Sequence, residues 1–298
     1  MLRLRTQQLH FLIERIPAAS PPTFPPMRLI SIRRLTAPSP WCAALLLLAL
    51  PIAQPNIVRA ESGHSFRTDD TVRIVILGSS TAKGQGASRP DSCWVRRYRR
   101  VLGEASPATQ LVNLSVPGYT TYHFLPLRAQ AILSRPLPDS AVNITHALSL
   151  HPSALVINLP TNDAAYGFDT TEQIANYRHL VTLARGDSIP VWVCTPQPRN
   201  LKPEKRRICQ QMREWIIRTY GLHAIDFWSG LAAADGTLKR EYDSGDGTHL
   251  NDAGHRLLFE RIVAADIPAV VRAVRAARSS QLPARPDSLR HGRVNGTR

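Results

Sequence analysis

The sequence predicts an α/β fold in which a parallel β-sheet is covered by helices on both faces. Five short apolar segments, the first of them rich in β-branched residues, alternate along the chain with longer segments of helical periodicity. Short, continuous apolar runs are typical of parallel strands that are buried on both faces. The alternation of strand and helix indicates parallel pairing through helical crossovers. The chain shows no internal repeat, and its 298 residues are enough for one large domain.

The bounds of the predicted elements follow from the apolar runs and from helix-breaking residues. Pro136 and Pro138 separate two predicted helices, Gly221 ends another, and Asn251 caps the last one. The predicted strands are residues 72–77, 110–114, 154–159, 190–194 and 222–227. The predicted helices are residues 94–102, 121–134, 139–150, 171–185, 204–220 and 251–275.

The first predicted strand ends in a turn that carries hydroxyl side chains. Gly78 ends the apolar run and lets the backbone turn sharply. Ser79, Ser80 and Thr81 follow it. In open α/β sheets, ligands bind at the carboxyl ends of the strands, which is where this turn lies. Taken alone, this turn is also explained by serines that only cap a helix. Its interpretation therefore depends on the other loops of the sheet.

The basic charge of the chain is concentrated at its two ends. The formal net charge is +15, but residues 1–60 hold seven Lys and Arg against one acid, and residues 273–298 hold six Arg against one acid. Residues 61–272 therefore carry a net charge of only about +4. This central part has no basic stripe with interleaved aromatic residues, so we expect no nucleic-acid partner.

Residues 1–60 are predicted to be an N-terminal extension that contains a secretory signal peptide. The apolar segment 41–53, WCAALLLLALPIA, follows a stretch with three arginines and precedes a Val-Arg-Ala site at 58–60. A basic region, a short apolar core and a small-residue cleavage site are the three parts of such a signal. The 13 apolar residues are fewer than the roughly 20 that a membrane-spanning helix needs. We therefore expect a secreted or periplasmic protein.

Two alternatives to this N-terminal interpretation stay open. An uncleaved segment 41–53 would act as a membrane anchor, and only in that case would the membrane be a partner. Translation from Met27 instead of Met1 would make residues 1–26 an over-extended gene model and would give the signal a more ordinary start.

The rest of the chain is predicted to be one folded domain at 61–278 and a disordered basic tail at 279–298, which lacks apolar periodicity. Removal of the signal peptide would leave Cys93, Cys194 and Cys209, and an odd number requires at least one free thiol. Cys194 ends a predicted strand and Cys209 lies on the next predicted helix, so this pair is the expected disulfide. The spacing of the three cysteines matches no metal site.

Loops at the carboxyl ends of successive predicted strands carry residues suited to catalysis. Ser80 follows the first strand, Gly118 the second and Asn162 the third. Asp246 and His249 lie three residues apart in a glycine-containing loop just before the last helix. Parallel strands end at the same edge of a sheet, so we expect these residues to converge.

The converging residues include every group that nucleophilic serine catalysis requires. Ser80 would be the nucleophile, His249 the base that takes its proton, and Asp246 the carboxylate that orients the imidazole. The oxyanion hole would consist of the backbone N–H groups of Ser80 and Gly118 and the side-chain amide of Asn162. This chemistry needs no metal and no organic cofactor.

In this order the loops resemble the sequence blocks of the SGNH or GDSL-type hydrolases. Gly78-Ser79-Ser80 with Gly84 resembles the first block, and Gly118 in NLSVPGYTT supplies the second. The third and fifth blocks, Gly-x-Asn-Asp and Asp-x-x-His, are matched by PTND at 160–163 and DGTH at 246–249. The resemblance spans residues 72–270. It implies a flavodoxin-like three-layer α/β/α sandwich with a parallel five-stranded sheet, and an activity among esterases, lipases, thioesterases and carbohydrate deacetylases.

Two positions depart from the family pattern. Ser79 replaces the usual aspartate of the first block, but that residue is not catalytic in the family, so Ser80 keeps its assignment. Pro160 replaces the glycine of the third block, which leaves Asn162 in place and is expected to alter the pocket wall. Lys83 would allow a Ser–Lys mechanism, but Asp246 and His249 already supply a base.

We therefore predict an exported serine carboxylic-ester hydrolase that works through an acyl-enzyme. Export and the family resemblance together favour acetyl or short-chain esters on carbohydrates, with a small molecule or a polysaccharide as substrate. The alternative from another functional class is a catalytically inactive glycan-binding domain that has retained the hydrolase fold.

Overall fold

A computed structural model of the chain describes residues 71–129, 132–159 and 161–280. The predicted signal segment, both start-codon alternatives, Pro160 and most of the predicted tail lie outside these residues. Within the described ranges, no helix is both long enough and apolar enough to cross a membrane.

The described residues contain one sheet of five parallel strands in the order β2-β1-β3-β4-β5. The strands are β1 Val72–Gly78, β2 Thr109–Asn113, β3 Ala154–Asn158, β4 Val191–Cys194 and β5 Ala224–Ile225. This is the flavodoxin-like strand order, and it confirms the predicted fold class. The order reverses between β1 and β3, so a crevice opens at the carboxyl ends of these two central strands.

Eight α-helices connect and cover the strands in the described part of the chain. They are α1 Ser80–Lys83, α2 Trp94–Ala105, α3 Ile144–Ser149, α4 Asn162–Tyr166, α5 Thr170–Gly186, α6 Pro203–Tyr220, α7 Asp252–Ala264 and α8 Ile267–Ser280. Short 3-10 turns lie at Pro90–Ser92, Thr121–Phe124, Gly221–His223 and Arg240–Tyr242.

The sheet separates two apolar cores because alternate side chains of each strand point to opposite faces. On one face, Ile74, Ile76 and Trp192 pack against α2, α7 and α8. On the other face, Val75 and Leu77 pack against α3, α5 and α6. All residues of β1 and β3 except Arg73 are buried, which explains the nearly continuous apolar sequence of these central strands.

Two predicted helices are shorter or more broken in the structure than the sequence suggested. The helix predicted at 121–134 is wrong in the described residues, where only the 3-10 turn Thr121–Phe124 forms. Leu125 is extended because Pro126 disfavours a helical conformation in the residue before it. The helix predicted at 139–150 is reduced to α3, since the Asn143 side chain caps the backbone N–H of His146 at 3.0 Å.

The end of the chain also differs from the prediction. The single helix predicted at 251–275 is two helices, which are separated at Asp266, where φ is +43°. Pro268 lies in the first turn of α8, a position that proline tolerates. The fifth strand has two residues instead of six, because the Asp226 side chain accepts hydrogen bonds from the backbone of Trp228 and Ser229 and turns the chain.

The predicted Cys194–Cys209 disulfide is wrong, because both cysteines are free and buried, as is Cys93. The reason is the alternation of side chains along β4. Val193 points towards the face where α6 packs, whereas Cys194 points into the core on the opposite face. Cys209 on α6 packs in a separate small cluster with Ala164 and Trp228, so the two thiols lie in different apolar clusters.

Candidate active site

The serine turn, residues 78–88, runs from the end of β1 through α1 towards α2. A side chain at Gly78 would place its Cβ 2.4 Å from Ser115 Oγ, so only glycine lets the turn pack this closely against the loop after β2. Gly84 closes α1 with φ of +98°. Ser79 and Thr81 are buried, whereas Ser80, the first residue of α1, keeps 8% of its surface exposed.

Ser80 is the most accessible of these three hydroxyl residues, with 8% of its surface exposed against 2% for Ser79 and 1% for Thr81. Its Oγ and its backbone N–H form no hydrogen bond with any described residue. By contrast, the Thr81 hydroxyl accepts a hydrogen bond of 2.7 Å from Gln197 Nε2. The two reactive groups of Ser80 are therefore left available at the carboxyl edge of the sheet.

The aspartate–histidine loop, residues 243–249, joins the two remaining predicted groups directly. His249 Nδ1 lies 2.6 Å from Asp246 Oδ2. Asp246 Oδ1 accepts from the backbone N–H groups of Thr248 and His249, at 2.9 and 2.8 Å. In the tautomer in which Nδ1 donates to the carboxylate, His249 Nε2 is left as a proton acceptor.

The charge of Asp246 is favoured by this arrangement. Burial alone would raise its pKa, but the hydrogen bonds from the His249 backbone, the His249 ring and the Thr248 backbone outweigh that effect and lower the pKa to about 2. Asp246 is therefore ionised at all but strongly acidic pH, which is the state that orients and stabilises an imidazolium.

Glycine and aspartate residues hold the loop in a tight conformation. Asp243 Oδ1 accepts from the backbone N–H groups of Gly245 and Gly247, at 2.9 and 3.0 Å. Gly247 has φ of +66°, and its carbonyl accepts the backbone N–H of Asn200 at 2.8 Å. The loop is thereby tied to the segment that follows β4.

The serine turn and the aspartate–histidine loop pack directly against each other at Gly86. A Cβ at Gly86 would lie 2.8 Å from His249 Cβ and 2.4 Å from Leu250 O, and Gly86 also has φ of +87°. Ser88 extends the contact, because its backbone N–H and hydroxyl donate to Asp252 at 2.8 and 2.6 Å. The sequence reasoning did not single out Gly86, although a glycine two residues after another one is a visible signal.

The predicted oxyanion residues meet on the other side of the serine turn. Gly118 is exposed, its φ is +81°, and its backbone N–H donates to no described residue. Asn162 begins α4, and its Nδ2 donates to Tyr119 O at 2.9 Å. The amide has a second N–H that this bond does not use. Val116 N, which donates to Gly78 O at 3.1 Å, ties the Gly118 loop to the end of β1.

Asp163 connects the loop that carries Gly118 to the loop that carries Asn162. It is buried, and its carboxylate accepts from the backbone N–H and the hydroxyl of Thr121. Burial raises the pKa of Asp163 to about 6, while the Thr121 hydrogen bonds oppose the rise. The carboxyl group thus joins the loop after β2 to the loop after β3.

The segment after β4 adds two side chains to the site. Gln197 reaches Thr81 in the serine turn, and Arg199 Nη1 donates to Asn162 Oδ1 at 3.3 Å. From the sequence, Arg199 in the segment TPQPRN is expected to be a solvated loop arginine or a residue that contacts substrate, and in the structure it is half-buried. Its partner Asn162 lies in a different loop, so no local signal in the sequence predicts the contact between them.

The structure therefore brings the predicted residues to one edge of the sheet, with one direct link missing. Asp246 and His249 are hydrogen-bonded, and Asn162 is bonded to the residue after Gly118. No hydrogen bond between Ser80 Oγ and His249 is present in the described chain. In unliganded sites, such a bond can tighten only when substrate binds. No group of three or more His, Cys, Asp and Glu residues in the described ranges could hold a metal ion.

The sequence of the chain matches the model of one known protein family. The model of the GDSL-like Lipase/Acylhydrolase family matches residues 76–257, which is more than half of the chain. None of the curated proteins matches.

Solved structures of similar fold include a lipase from a goat rumen metagenome. It is 17% identical, the alignment covers 65% of this chain and 97% of that chain, and the TM-score is 0.50. A GDSL-like lipase from Bacteroides thetaiotaomicron is 20% identical, with coverage of 67% and 88% and a TM-score of 0.49. A psychrotrophic esterase from Pseudoalteromonas sp. is 18% identical, with coverage of 65% and 95% and a TM-score of 0.47. At these identities the likeness concerns the fold.

Proposed function

Because the chain belongs to the GDSL-like lipase/acylhydrolase family, we propose that it is an exported serine esterase that cleaves carboxylic esters through an acyl-enzyme. The observation that carries this proposal is the 2.6 Å contact between His249 Nδ1 and Asp246 Oδ2 in a loop packed against the turn that carries Ser80. A base with its orienting carboxylate, beside a serine with a free hydroxyl, is the arrangement that nucleophilic catalysis requires.

In the proposed mechanism, Ser80 Oγ attacks the ester carbonyl while His249 Nε2 takes its proton. Asp246 holds the imidazole in the required tautomer and stabilises the imidazolium. The backbone N–H groups of Ser80 and Gly118 and the second N–H of Asn162 donate to the oxyanion. His249 returns the proton to the leaving alcohol, and water then hydrolyses the acyl-enzyme with the same base.

We further propose acetyl or short-chain esters of carbohydrates as the substrates. The open, polar character of the site supports this choice. Nothing lies within 4 Å of the Cβ position of the exposed Gly118, so the oxyanion side has room for a bulky alcohol. Asn162, which is bonded to the residue after Gly118, and Arg199, which is bonded to Asn162, are polar and charged. Such a lining suits a sugar better than a long acyl chain.

The proposal is tested first by covalent labelling. A fluorophosphonate probe should label the wild-type protein and should leave Ser80→Ala unlabelled. Ser79→Ala is the matched control, because Ser79 is the neighbouring buried hydroxyl, and it should label normally. For p-nitrophenyl acetate, Ser80→Ala should lower kcat by a factor on the order of 10⁴ or more, whereas Ser79→Ala should keep most of the activity. A dead Ser79→Ala with an active Ser80→Ala would move the nucleophile by one residue.

The second candidate, a glycan-binding domain without activity, makes the opposite prediction. It would leave the probe unreacted and would bind polysaccharides without releasing acetate. A panel of p-nitrophenyl esters of increasing acyl length, together with acetylated xylan, pectin and peptidoglycan fragments, would separate the two candidates and define the acyl group.

A further inference from the structure

Four partly buried arginines of the described chain form no ion pair: Arg73, Arg97, Arg199 and Arg261. The other three donate to backbone carbonyl oxygens, whereas Arg199 donates only to a side chain of the site. Arg213 pairs with Asp226 at 2.9 Å, and Arg206 pairs with Asp235 at 3.4 Å. Arg199 takes part in none of the ion pairs of residues 71–129, 132–159 and 161–280. A partly desolvated charge without a counter-ion is costly, so its retention calls for an explanation.

The Arg199 guanidinium lies in the candidate site and has N–H groups that no described residue uses. Its one side-chain hydrogen bond, of 3.3 Å, goes to Asn162 Oδ1, so most of its five N–H groups are unused by described residues. The negative charge of Asp246 acts on it through space without contacting it. Arg199 is therefore bonded to the proposed oxyanion residue Asn162, and the next residue, Asn200, is bonded to the loop that carries the proposed orienting residue Asp246.

The backbone around Arg199 is fixed on both sides. Gln197 donates to Thr81 in the serine turn, and Asn200 N donates to Gly247 O in the aspartate–histidine loop, at 2.7 and 2.8 Å. Burial lowers the pKa of the Arg199 guanidinium, but arginine remains protonated in proteins. The site thus presents a permanently positive, pre-positioned fork of donors, which matches the geometry of a carboxylate.

We infer that Arg199 forms an anion subsite that selects esters carrying a carboxylate close to the scissile bond. This inference rests on the proposed function and adds a substrate class to it. Tyr166, an exposed aromatic residue at the end of α4, acts electrostatically on Arg199. A free acid on the alcohol or on the acyl part of the ester would replace the missing counter-ion.

The test compares two matched substrate pairs. In the first pair, 2-acetoxypropanoate and 2-acetoxypropanamide differ only in a charge on the alcohol side. In the second pair, monomethyl succinate and methyl succinamate differ only in a charge on the acyl side. The readout is the ratio of kcat/KM for the anionic ester over the neutral ester, from released acetate or methanol. We expect the wild type to prefer the anionic ester in at least one pair.

Arg199→Gln should lower that ratio by about 10- to 100-fold, the range for loss of a charge-assisted hydrogen bond. Arg207→Gln is the control: it removes the same charge from an exposed position of α6 and should leave the ratio unchanged. A role of Arg199 only in holding Asn162 would slow both esters of a pair equally, because both need the same oxyanion hole.

Three results would overturn the subsite: no preference for the anionic ester in either pair, an unchanged ratio in Arg199→Gln, or an equal fall in Arg207→Gln. Fluorophosphonate labelling of the wild type distinguishes these failures from that of the proposed function. A protein that labels but shows no preference is an esterase without this subsite. A wild-type protein that does not react with the probe is not a serine esterase. That result overturns the subsite together with the proposed function.

Discussion

The serine turn and the aspartate–histidine loop reach the same edge of the sheet, but they are held there by different forces. The serine turn continues a fully buried strand, and Ser79 and Thr81 are themselves buried. The aspartate–histidine loop lies at the surface, with 51% of the Asp246 side chain exposed, and is held by hydrogen bonds between side chains and nearby backbone. The nucleophile is thus positioned by long-range packing, and the base by local polar contacts.

This comparison predicts that the two parts will respond differently to mutation. Changes in the aspartate–histidine loop should reduce activity with little loss of stability. Changes in the serine turn should reduce both. The experiments below separate these responses, from the largest expected effect to the smallest.

Asp246→Asn should have the largest effect on activity with the least effect on folding. It removes the carboxylate charge but keeps the shape, and it should lower kcat/KM at neutral pH by up to ~10⁴-fold if Asn selects the wrong imidazole tautomer. The measurement is kcat/KM at neutral pH, together with urea unfolding. Normal activity in Asp246→Asn would remove Asp246 from the mechanism.

Gly86→Ala should reduce stability and activity together. The added Cβ would meet Leu250 O and His249 Cβ and would have to occupy φ of +87°, so we expect a loss of about 1–3 kcal/mol in the free energy of unfolding. The same displacement of His249 should lower kcat at least tenfold. Gly103→Ala is the control, because Gly103 lies in α2 with nothing within 4 Å, and it should stabilise by roughly 0.5–1 kcal/mol. Normal kcat in Gly86→Ala would contradict the packing role.

Asp163→Asn should change the pH dependence of stability. The folded-state pKa of about 6 lies above the unfolded value of about 3.9, so the protonated Asp163 favours folding. This contribution is fully present below about pH 4 and is lost as the pH rises through about 6. Relative to the wild type, the variant should therefore gain on the order of 3 kcal/mol in unfolding free energy between pH 4 and pH 7. Urea unfolding of both proteins across this range is the measurement, and a constant difference would count against the raised pKa.

The thiols should show the smallest effect, a difference in reactivity alone. Burial raises the pKa of Cys209 to about 12 and also raises the pKa of Cys194, so neither thiol should react with iodoacetamide in the folded protein at pH 7.5. Both should be alkylated in urea without a reductant, as should Cys93. A peptide joined through Cys194 and Cys209 in the non-reduced digest would restore the disulfide that the sequence suggested.

Regular elements with strong local signals were predictable, and elements that depend on neighbouring residues were not. The apolar runs located β1, β3 and β4 within a residue or two, because burial on both faces leaves few polar positions in these strands. The prediction of a helix at 121–134 was wrong because it followed the apolar periodicity of the sequence. Pro126 disfavours a helical conformation in the residue before it, so the chain is extended at Leu125. The prediction of the disulfide was wrong because it rested on a strand and a helix that follow each other in the chain. That order does not say to which face of the sheet the side chain of Cys194 points.

The sequence by itself determined the fold class and the identity of the candidate residues, since the spacing within each block is local and each residue type has its own chemistry. It also linked Asp246 to His249, because three residues in a tight loop suffice for that contact. Only the tertiary structure decided which loops meet. Gly86 against His249, Asp163 under Thr121 and Arg199 beside Asn162 each join segments far apart in the chain. Such contacts arise when packing of the sheet and its helices fixes the loops in space, and no local pattern records them.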